Sequence, residues 1–354
     1  MEQAEPFTIA GELLAPGTMR DVAFTISTMA TGTTSSLTVR VLHGAKPGPA
    51  VFVSAAIHGD EIVGTAVVQR LAQSIDPIAL AGTLLLVPVA NIFGFMNHSR
   101  YLPDRRDLNR SFPGSAGGSL AGQLAHVFYR EVVERCTLGI DIHSAAHHRY
   151  NLPQIRIASG NKRLVELAMA FGAPVIIESP LRDGSLRDLA QKNGIDMLLM
   201  EGGEALRFDR LSIETGVAGV SRVLAHLGMI EADDGLTEVG IPARANKSLW
   251  VRAPRGGLTH RVRKSGDPVR KGDLLARVAG LFGEDPLDLV SPINGIIIGH
   301  ATLPVVHQGD ALFHIAAIAN PERVGARIDS ITDAILASEP EGPAERLLDE
   351  DEVV

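Results

Sequence analysis

The clearest chemical signal in this sequence is a histidine and a glutamate that follow an apolar run of strand composition. Residues 50–61 read AVFVSAAIHGDE, so the run stops at His58-Gly59-Asp60-Glu61. Beyond Gly59 the apolar residues take a helical spacing, and we expect a strand, a tight turn and a helix. An imidazole and a carboxylate separated by two residues suit Zn²⁺, whose catalytic sites keep one position open for water. Taken alone, the motif also fits a turn histidine followed by a glutamate at a helix N-terminus.

A second histidine ends another apolar segment. Residues 138–143 indicate a buried strand in which Asp141 and His143 are two positions apart, so their side chains project from the same face. Asp141 could therefore orient the imidazole of His143, as carboxylates do for many metal-binding histidines. His143 could then complete a three-ligand site. His147 and His148 follow in a polar segment and are interpreted as surface residues, with either one a substitute ligand.

Two further segments supply carboxylates, guanidinium groups and an amide. The apolar run 196–200 leads into Glu201-Gly202-Gly203-Glu204, where the glycines allow a sharp turn beside a carboxylate. Without the other motifs, these acids would be interpreted as solvated residues of a turn. Residues 92–119 form a long irregular stretch that contains Arg100-Tyr101-Leu102 and Asp107-Leu108-Asn109-Arg110. Loops of this length in compact domains are usually functional or disordered.

Composition limits the classes of partner. The chain has 354 residues, and at about 150 residues per domain this length predicts two domains. Its hydrophobic content of 45% and charged content of 21% are typical of a globular protein. A net charge of −8 and the lack of a basic run argue against nucleic-acid binding, which requires positive charge against phosphates. We therefore expect a small-molecule partner and no nucleic acid.

The sequence also carries expectations about location. The acidic N-terminal segment lacks the basic and apolar regions of a signal peptide, and no apolar run reaches the ~18 residues of a membrane span. Cys136 is the only cysteine and cannot form an internal disulfide. A cytoplasmic protein that does not act at a membrane is expected. The oligomeric state stays open, with a homo-oligomer as one option.

The order of the predicted elements indicates an α/β domain over residues 1–231. Short strands are expected over residues 1–48, and residues 82–91 form a second continuous apolar run of the kind typical of parallel, doubly covered strands. Helices are predicted over residues 120–136, 161–171, 185–192 and 217–227, and a further strand over residues 174–178. The fold class expected is a mixed, largely parallel sheet flanked by helices.

The C-terminal part of the chain repeats itself after an acidic linker at residues 232–239. Segment 253–258 reappears as 291–296, and segment 269–275 reappears as 306–312. Two similar β units over residues 240–320 predict a small all-β barrel or sandwich. The repeat resembles the barrel of biotinyl and lipoyl carrier domains, but residues 281–289 lack the lysine that carries their cofactor, so a structural or capping role is expected. The acidic tail, 338–354, is expected to be disordered.

Taken together, the motifs resemble the succinylglutamate desuccinylase/aspartoacylase family of the zinc-carboxypeptidase-like superfamily. The resemblance runs from H-G-D-E through R-Y, D-L-N-R, D-I-H and E-G-G-E to the C-terminal β region, and so covers nearly the whole chain. It implies a zinc-carboxypeptidase-like fold and one Zn²⁺ held by His58, Glu61 and His143. It also implies that a glutamate at the end of a late strand is the general base. Glu201 matches that position, and Glu204 is the alternative.

The resemblance also implies roles for the residues of the irregular segment. The gap between Arg-Tyr and D-L-N-R is longer here than in the family, so Arg105 and Arg106 stand beside Arg100 as candidates to face the zinc. Arg100 would stabilise the oxyanion of a tetrahedral intermediate. Arg110, with Asn109, would bind a substrate carboxylate, because a guanidinium fork matches that anion.

The predicted activity is zinc-dependent hydrolysis of a small N-acyl amino acid to a free amino acid and a carboxylic acid. The nearest alternative is a metallocarboxypeptidase acting on short peptides, and a third hypothesis is a non-catalytic metal-binding or ligand-binding module. By resemblance the β region is expected to crowd the mouth of the site, which favours short substrates. The sequence does not identify the acyl group of the substrate. Polar residues that could contact it, each also explicable as a surface residue, are Arg149, Asn151, Gln154, Arg156, Arg182 and Arg187.

Overall fold

The computed structural model of the chain describes residues 3–232 and 240–337. The predicted tail and all but the first residue of the predicted linker lie outside these ranges. Within them, no helix combines the length and the apolar composition that a membrane crossing requires.

Ten strands and six α-helices make up the first described range. The strands are β1 (Phe7–Ile9), β2 (Glu12–Leu14), β3 (Thr18–Thr28), β4 (Thr34–His43), β5 (Lys46–Ala55), β6 (Ala81–Val87), β7 (Leu138–Ala145), β8 (Arg149–Ile157), β9 (Val175–Glu178) and β10 (Asp196–Glu204). The helices are α1 (Val63–Ser74), α2 (Ile92–Met96), α3 (Leu120–Glu131), α4 (Lys162–Phe171), α5 (Leu186–Lys192) and α6 (Arg210–His226).

Nine strands and one helix make up the second described range. They are β11 (Ala243–Ala245), β12 (Ser248–Arg252), β13 (Gly257–Arg261), β14 (Pro268–Val269), β15 (Leu274–Ala279), β16 (Leu287–Val290), β17 (Gly295–Ala301), β18 (Val305–Val306), β19 (Ala311–Ala317) and α7 (Pro321–Ala337). Short 3-10 turns occur at Leu108–Arg110 and Val133–Arg135.

A mixed sheet of 13 strands forms the centre of the molecule. Its main path is β12-β19-β17-β8-β10-β7-β5-β6-β4-β3, and β9, β11 and β14 pair beside that path. Strands β6, β5, β7 and β10 are parallel neighbours, whereas β8 and the outer strands of the path run antiparallel to theirs. This architecture confirms the expected fold class of a mixed sheet flanked by helices with a C-terminal antiparallel β region.

Helices cover both faces of the sheet, which explains why its strands are continuously apolar. Val51 and Val53 on β5 pack with α1, α4 and α6 on one face. Phe52, which projects to the other face, packs with α3 and α5. Side chains that alternate along β5 therefore pack into two hydrophobic cores, one on each face of the sheet, and the strand is held between them.

The C-terminal strands extend the main sheet and add a second layer to it. Strand β17 pairs antiparallel with β8, so β17, β19 and β12 continue the central sheet. A separate sheet of 4 strands, β16-β15-β13-β18, packs against them through Leu275, Val278, Phe313 and Ile315. The division into domains at residues 1–231 and 240–320 stays a prediction.

Several element boundaries differ from the sequence-based expectation. Strand β8 was not predicted, because polar residues such as Tyr150, Asn151 and Gln154 interrupt its apolar pattern. Helix α7 was not predicted either. Helix α3 ends at Glu131, ahead of the predicted end, and α6 begins at Arg210, where the side chain of Asp209 accepts a hydrogen bond from the backbone of Ser212.

The close packing of α6 on α4 gives a test of the fold. A Cβ atom at Gly219 would lie 2.2 Å from Cε1 of the fully buried Phe171. We expect Gly219→Ala to lower the free energy of unfolding by about 1–3 kcal/mol through overpacking, although alanine is intrinsically the better helix former. Gly122→Ala in α3 is the matched control, because its nearest new contact would be 3.5 Å away. Urea unfolding of both variants measures the difference, and equal effects would contradict the packing.

Candidate active site

A cavity of about 230 Å³ opens where the parallel strands β5, β7 and β10 end. His58 follows β5, His143 lies near the end of β7, and Glu201 lies on β10 directly beside His143 in the strand register. Because parallel strands present their carboxyl ends at one edge of a sheet, three separate motifs converge there. All seven predicted site residues line this cavity: His58, Glu61, Arg100, Asn109, Arg110, His143 and Glu201.

His58, Glu61 and His143 form a compact buried cluster within the cavity. Nδ1 of His58 lies 2.7 Å from Oε1 of Glu61, and Nδ1 of His143 lies 2.6 Å from Oε2 of Glu61. One donor atom from each residue lies within 4.8 Å of the others. Gly59 allows the turn between the strand and Glu61, because a Cβ atom there would lie 2.0 Å from the backbone carbonyl carbon of Gly94.

The two imidazoles of the cluster each have a carboxylate on the ring nitrogen that faces away from Glu61. Nε2 of His143 lies 2.6 Å from Oδ2 of Asp141, the pairing expected from their positions on one strand face. Nε2 of His58 lies 3.2 Å from Oδ1 of Asp107, without hydrogen-bond geometry, and this buried atom has no hydrogen-bond partner among the described residues. Two imidazoles, one carboxylate and supporting acids are the donor set of catalytic zinc sites, so these residues fit a divalent metal.

The protonation of the cluster shows that it favours positive charge. Burial would lower the pKa of His143, but the carboxylates of Asp141 and Glu61 outweigh burial and hold it well above its usual range. Burial also opposes the charged form of His58, whose pKa is nevertheless raised by Glu61 and Asp107. Burial would raise the pKa of Glu61, yet the two imidazoles hold it far below its usual range. A divalent cation held by these residues would balance the negative charge of the three carboxylates.

Of the three candidate arginines, Arg100 is the one that faces the cluster. Its guanidinium group lies 3.1 Å from Oε1 of Glu61 and 3.0 Å from Oδ2 of Asp107. Arg106 is exposed and lies 3.9 Å from Asp104, and neither it nor Arg105 lines the cavity. Asp107 was quoted in the sequence motif but had no predicted role.

Glu201 and Glu204, three residues apart on β10, have different surroundings. Glu201 lines the cavity, where Oε2 accepts a hydrogen bond of 2.8 Å from Nδ2 of Asn151. Oε1 of Glu201 lies 3.6 Å from the guanidinium group of Arg156. Glu204 does not line the cavity, and its Oε1 accepts hydrogen bonds from the backbone of His148 and the hydroxyl of Thr302.

His147 and His148, the substitute ligands, lie outside the cluster. His147 is 44% exposed, with Nε2 3.3 Å from Oδ2 of Asp60. The ring of His148 lies against that of His147. Neither residue lines the cavity, in agreement with their interpretation as surface residues.

A further wall of the cavity is rich in arginine. Arg110, Arg149, Arg182 and Arg187 line it, and none of them forms an ion pair with a carboxylate of the described residues. Burial, followed by the charge of Arg156, lowers the pKa of Arg187 to about 10. Asn109 supports this wall, because its Oδ1 accepts a hydrogen bond of 2.9 Å from the backbone of Leu186 at the start of α5.

The positions of Gln154 and Trp250 differ from the sequence-based expectations. Gln154, a candidate contact for the acyl group, is fully buried outside the cavity lining, and its Nε2 donates to the backbone oxygen of Ile298. Trp250, on β12, lines the cavity and was missed. It stacks on His314 at a centroid distance of 4.4 Å, and Cζ of Arg149 lies 5.3 Å from its ring. Trp250 is the single tryptophan of the chain, and this was the one feature of the sequence that could have drawn attention to it. The residues around it in the sequence do not indicate a site.

Comparisons with known proteins identify the family of this chain. A family model described as the succinylglutamate desuccinylase/aspartoacylase catalytic domain matches residues 47–227, just over half of the chain. An N-alpha-acetyl-L-2,4-diaminobutyric acid deacetylase from Halomonas elongata is 27% identical over 286 residues, which cover 77% of this chain and 83% of the relative.

Solved structures show the same fold. A succinylglutamate desuccinylase/aspartoacylase from Rhodobacter sphaeroides aligns with a TM-score of 0.75 and 25% identity, covering 84% of this chain and 96% of that chain. The product-bound ectoine utilization protein EutE from Ruegeria pomeroyi aligns with a TM-score of 0.76 and 25% identity, covering 84% and 95%. The chain therefore belongs to the succinylglutamate desuccinylase/aspartoacylase family.

Proposed function

We propose that this protein is a zinc-dependent deacylase that hydrolyses a small N-acyl amino acid to a free amino acid and a carboxylic acid. The observation that carries the proposal is the cavity itself, which is lined by the His58, Glu61 and His143 cluster, by Glu201 and by arginines that have no carboxylate partner among the described residues. The name of the Halomonas elongata relative, an N-α-acetyl amino acid deacetylase, supports the same reaction class.

His58, Glu61 and His143 are the residues that would hold the metal. A Zn²⁺ bound there would lower the pKa of a water molecule towards neutrality and polarise the carbonyl of a substrate amide. Asp141 and Asp107 would keep the imidazoles oriented, because each lies next to the ring nitrogen that faces away from Glu61.

Glu201 would move the proton that amide hydrolysis requires. Its carboxylate lines the cavity beside His143, so it would accept a proton from the attacking water and pass it to the leaving nitrogen. This transfer is necessary because an amine anion is too poor a leaving group to depart unprotonated. Arg100 would stabilise the negative charge on the former carbonyl oxygen, a contribution of about 3 kcal/mol for one well-placed donor.

The arginine wall supports an anionic substrate. Arg187 is the member of this wall whose burial opposes its charge and lowers its pKa to about 10, so a bound anion would offset the cost of burying this guanidinium. Arg110 would bind the carboxylate of the amino acid as a bidentate pair, and Asn109 would hold the adjacent backbone. The fork of Arg110 is therefore expected to contribute to substrate binding more than to the chemical step.

The base assignment can be tested by comparing the two glutamates of β10. We expect Glu201→Gln to lower kcat by 10²- to 10⁴-fold, the range typical of a lost general base. Glu204→Gln is the matched control, because Glu204 caps a loop outside the cavity lining, and its kcat should stay near that of the wild type. Release of free amino acid from N-acetyl and N-succinyl amino acids measures both variants. Full activity in Glu201→Gln would overturn the assignment.

The role of the arginine wall predicts a change in KM. We expect Arg110→Gln to raise KM about tenfold or more with a smaller change in kcat, since a lost ground-state ion pair weakens binding uniformly. Arg105→Gln, outside the cavity, is the control and should leave both constants unchanged. The substrate panel spans N-acetyl, N-succinyl and longer N-acyl amino acids and short peptides. Cleavage of peptides alone would favour the metallocarboxypeptidase instead.

Metal removal gives a test that depends on pH. We expect a chelator to abolish turnover and lower Tm, and Zn²⁺ to restore both, because the metal binds the folded state. The pKa values of His58 and His143 are raised by the neighbouring carboxylates in the metal-free cluster, so zinc binding should release protons and tighten as pH rises. Calorimetry in two buffers of different ionisation enthalpy measures the release. Metal-free turnover would contradict the proposal.

A further inference from the structure

We propose that Asn151 is a positioning residue for the Glu201 carboxylate, and that strand β17 of the C-terminal region holds Asn151 in place through Gly299. This inference rests on the function proposed above, in which Glu201 is the general base. In this proposal the C-terminal strands, which extend the central sheet, influence the reaction through Asn151.

The contact between Asn151 and Glu201 fixes one carboxylate oxygen. Nδ2 of Asn151 donates a hydrogen bond of 2.8 Å to Oε2 of Glu201. The guanidinium group of Arg156 lies 3.6 Å from Oε1, too far for a hydrogen bond. Among the described residues, Asn151 is therefore the hydrogen-bond donor that orients this carboxylate, and Oε1 stays available to the cavity.

The direction of this hydrogen bond determines where the other end of the asparagine amide lies. Because Nδ2 is committed to Glu201, Oδ1 must project from the other side of the planar amide. On that side is Gly299, where a Cβ atom would lie only 2.8 Å from Oδ1 of Asn151. A side chain at position 299 would therefore displace the amide that holds Glu201.

Strand pairing explains why a residue of the C-terminal region reaches the general base. Strand β8 lies between β10 and β17, so Asn151 is paired with Gly203 on one side and with Gly299 on the other. The register shifts between Glu201 and Gly203, which bends β10 where its carboxylate enters the cavity. Asn151, with 6% of its surface exposed, is confined by both neighbours.

The test compares Asn151→Leu, which removes the donor while keeping the side-chain size, with Gly299→Ala, which adds the crowding Cβ. We expect Asn151→Leu to lower kcat by about 10- to 100-fold with KM within about threefold, since a hydrogen bond to a charged group is lost. Gly299→Ala should also lower kcat, by about 5- to 10-fold, because the added Cβ disturbs the hydrogen bond between Asn151 and Glu201 indirectly. Zinc content should stay at the wild-type level in both.

The matched control is Gln154→Leu, which removes a second buried amide on β8. Gln154 is the register partner of Glu201, but its side chain donates to the backbone oxygen of Ile298 on β17 and forms no hydrogen bond to the Glu201 carboxylate. We expect Gln154→Leu to lower Tm and leave kcat unchanged. If Asn151 were merely structural, Asn151→Leu would behave in the same way and the proposal would be wrong. Gly299→Ala provides the same comparison should Asn151→Leu fail to fold.

A double-mutant cycle separates positioning from direct substrate binding. In a Glu201→Gln background, Asn151→Leu should cause no further loss of kcat, because its effect passes through the carboxylate. If the double variant lost kcat by the product of the two single losses and its KM also rose, Asn151 would contact the substrate instead and the proposal would be wrong. Full activity of Glu201→Gln alone would instead refute the proposed base. An inactive Glu201→Gln with wild-type kcat in Asn151→Leu and Gly299→Ala would refute only the positioning role.

Discussion

The structure depends on the burial of one carboxylate, that of Glu61, between two imidazoles and a guanidinium group. A buried carboxylate is costly unless cations and hydrogen bonds surround it. The strand ends of β5 and β7 supply His58 and His143, and the segment that follows α2 supplies Arg100. Asp107 and Asp141 add further negative charge behind the imidazoles. Three distant parts of the chain are thus held together by one charge balance, which a divalent cation would complete.

The cavity lining carries groups of both charges. The cluster around Glu61 is acidic and favours a cation, whereas the wall that includes Arg182 and Arg187 has guanidinium groups without carboxylate partners in the described chain. An amide substrate with a carboxylate has its reactive carbonyl at one end and its negative charge at the other. The proposed N-acyl amino acid would therefore match both groups of residues, whereas an uncharged amide would leave these arginines without an anionic partner.

The C-terminal strands contribute to the site because they continue the central sheet. Pairing of β17 with β8 brings Gly299 against Asn151, and β12, two strands further on, places Trp250 at the cavity wall. The stack of Trp250 on His314 stays free of charge repulsion towards Arg149, since burial lowers the pKa of His314 to about 3. A region expected from its repeat to be structural therefore shapes the wall of the cavity as well.

The sequence by itself determined the family, the mixed α/β fold and the strand ends that carry His58, His143 and Glu201, because a strand and its terminal residue are adjacent in the chain. The period of two residues likewise placed Asp141 beside His143. Tertiary structure alone decided which arginine and which glutamate face the cavity, because side-chain direction at a loop or a bulge depends on its neighbours. It also decided that strand β8 exists and that Trp250 lines the cavity. Polar residues that face a site break the apolar pattern of a strand, and the pairing of distant strands leaves no local mark in the sequence.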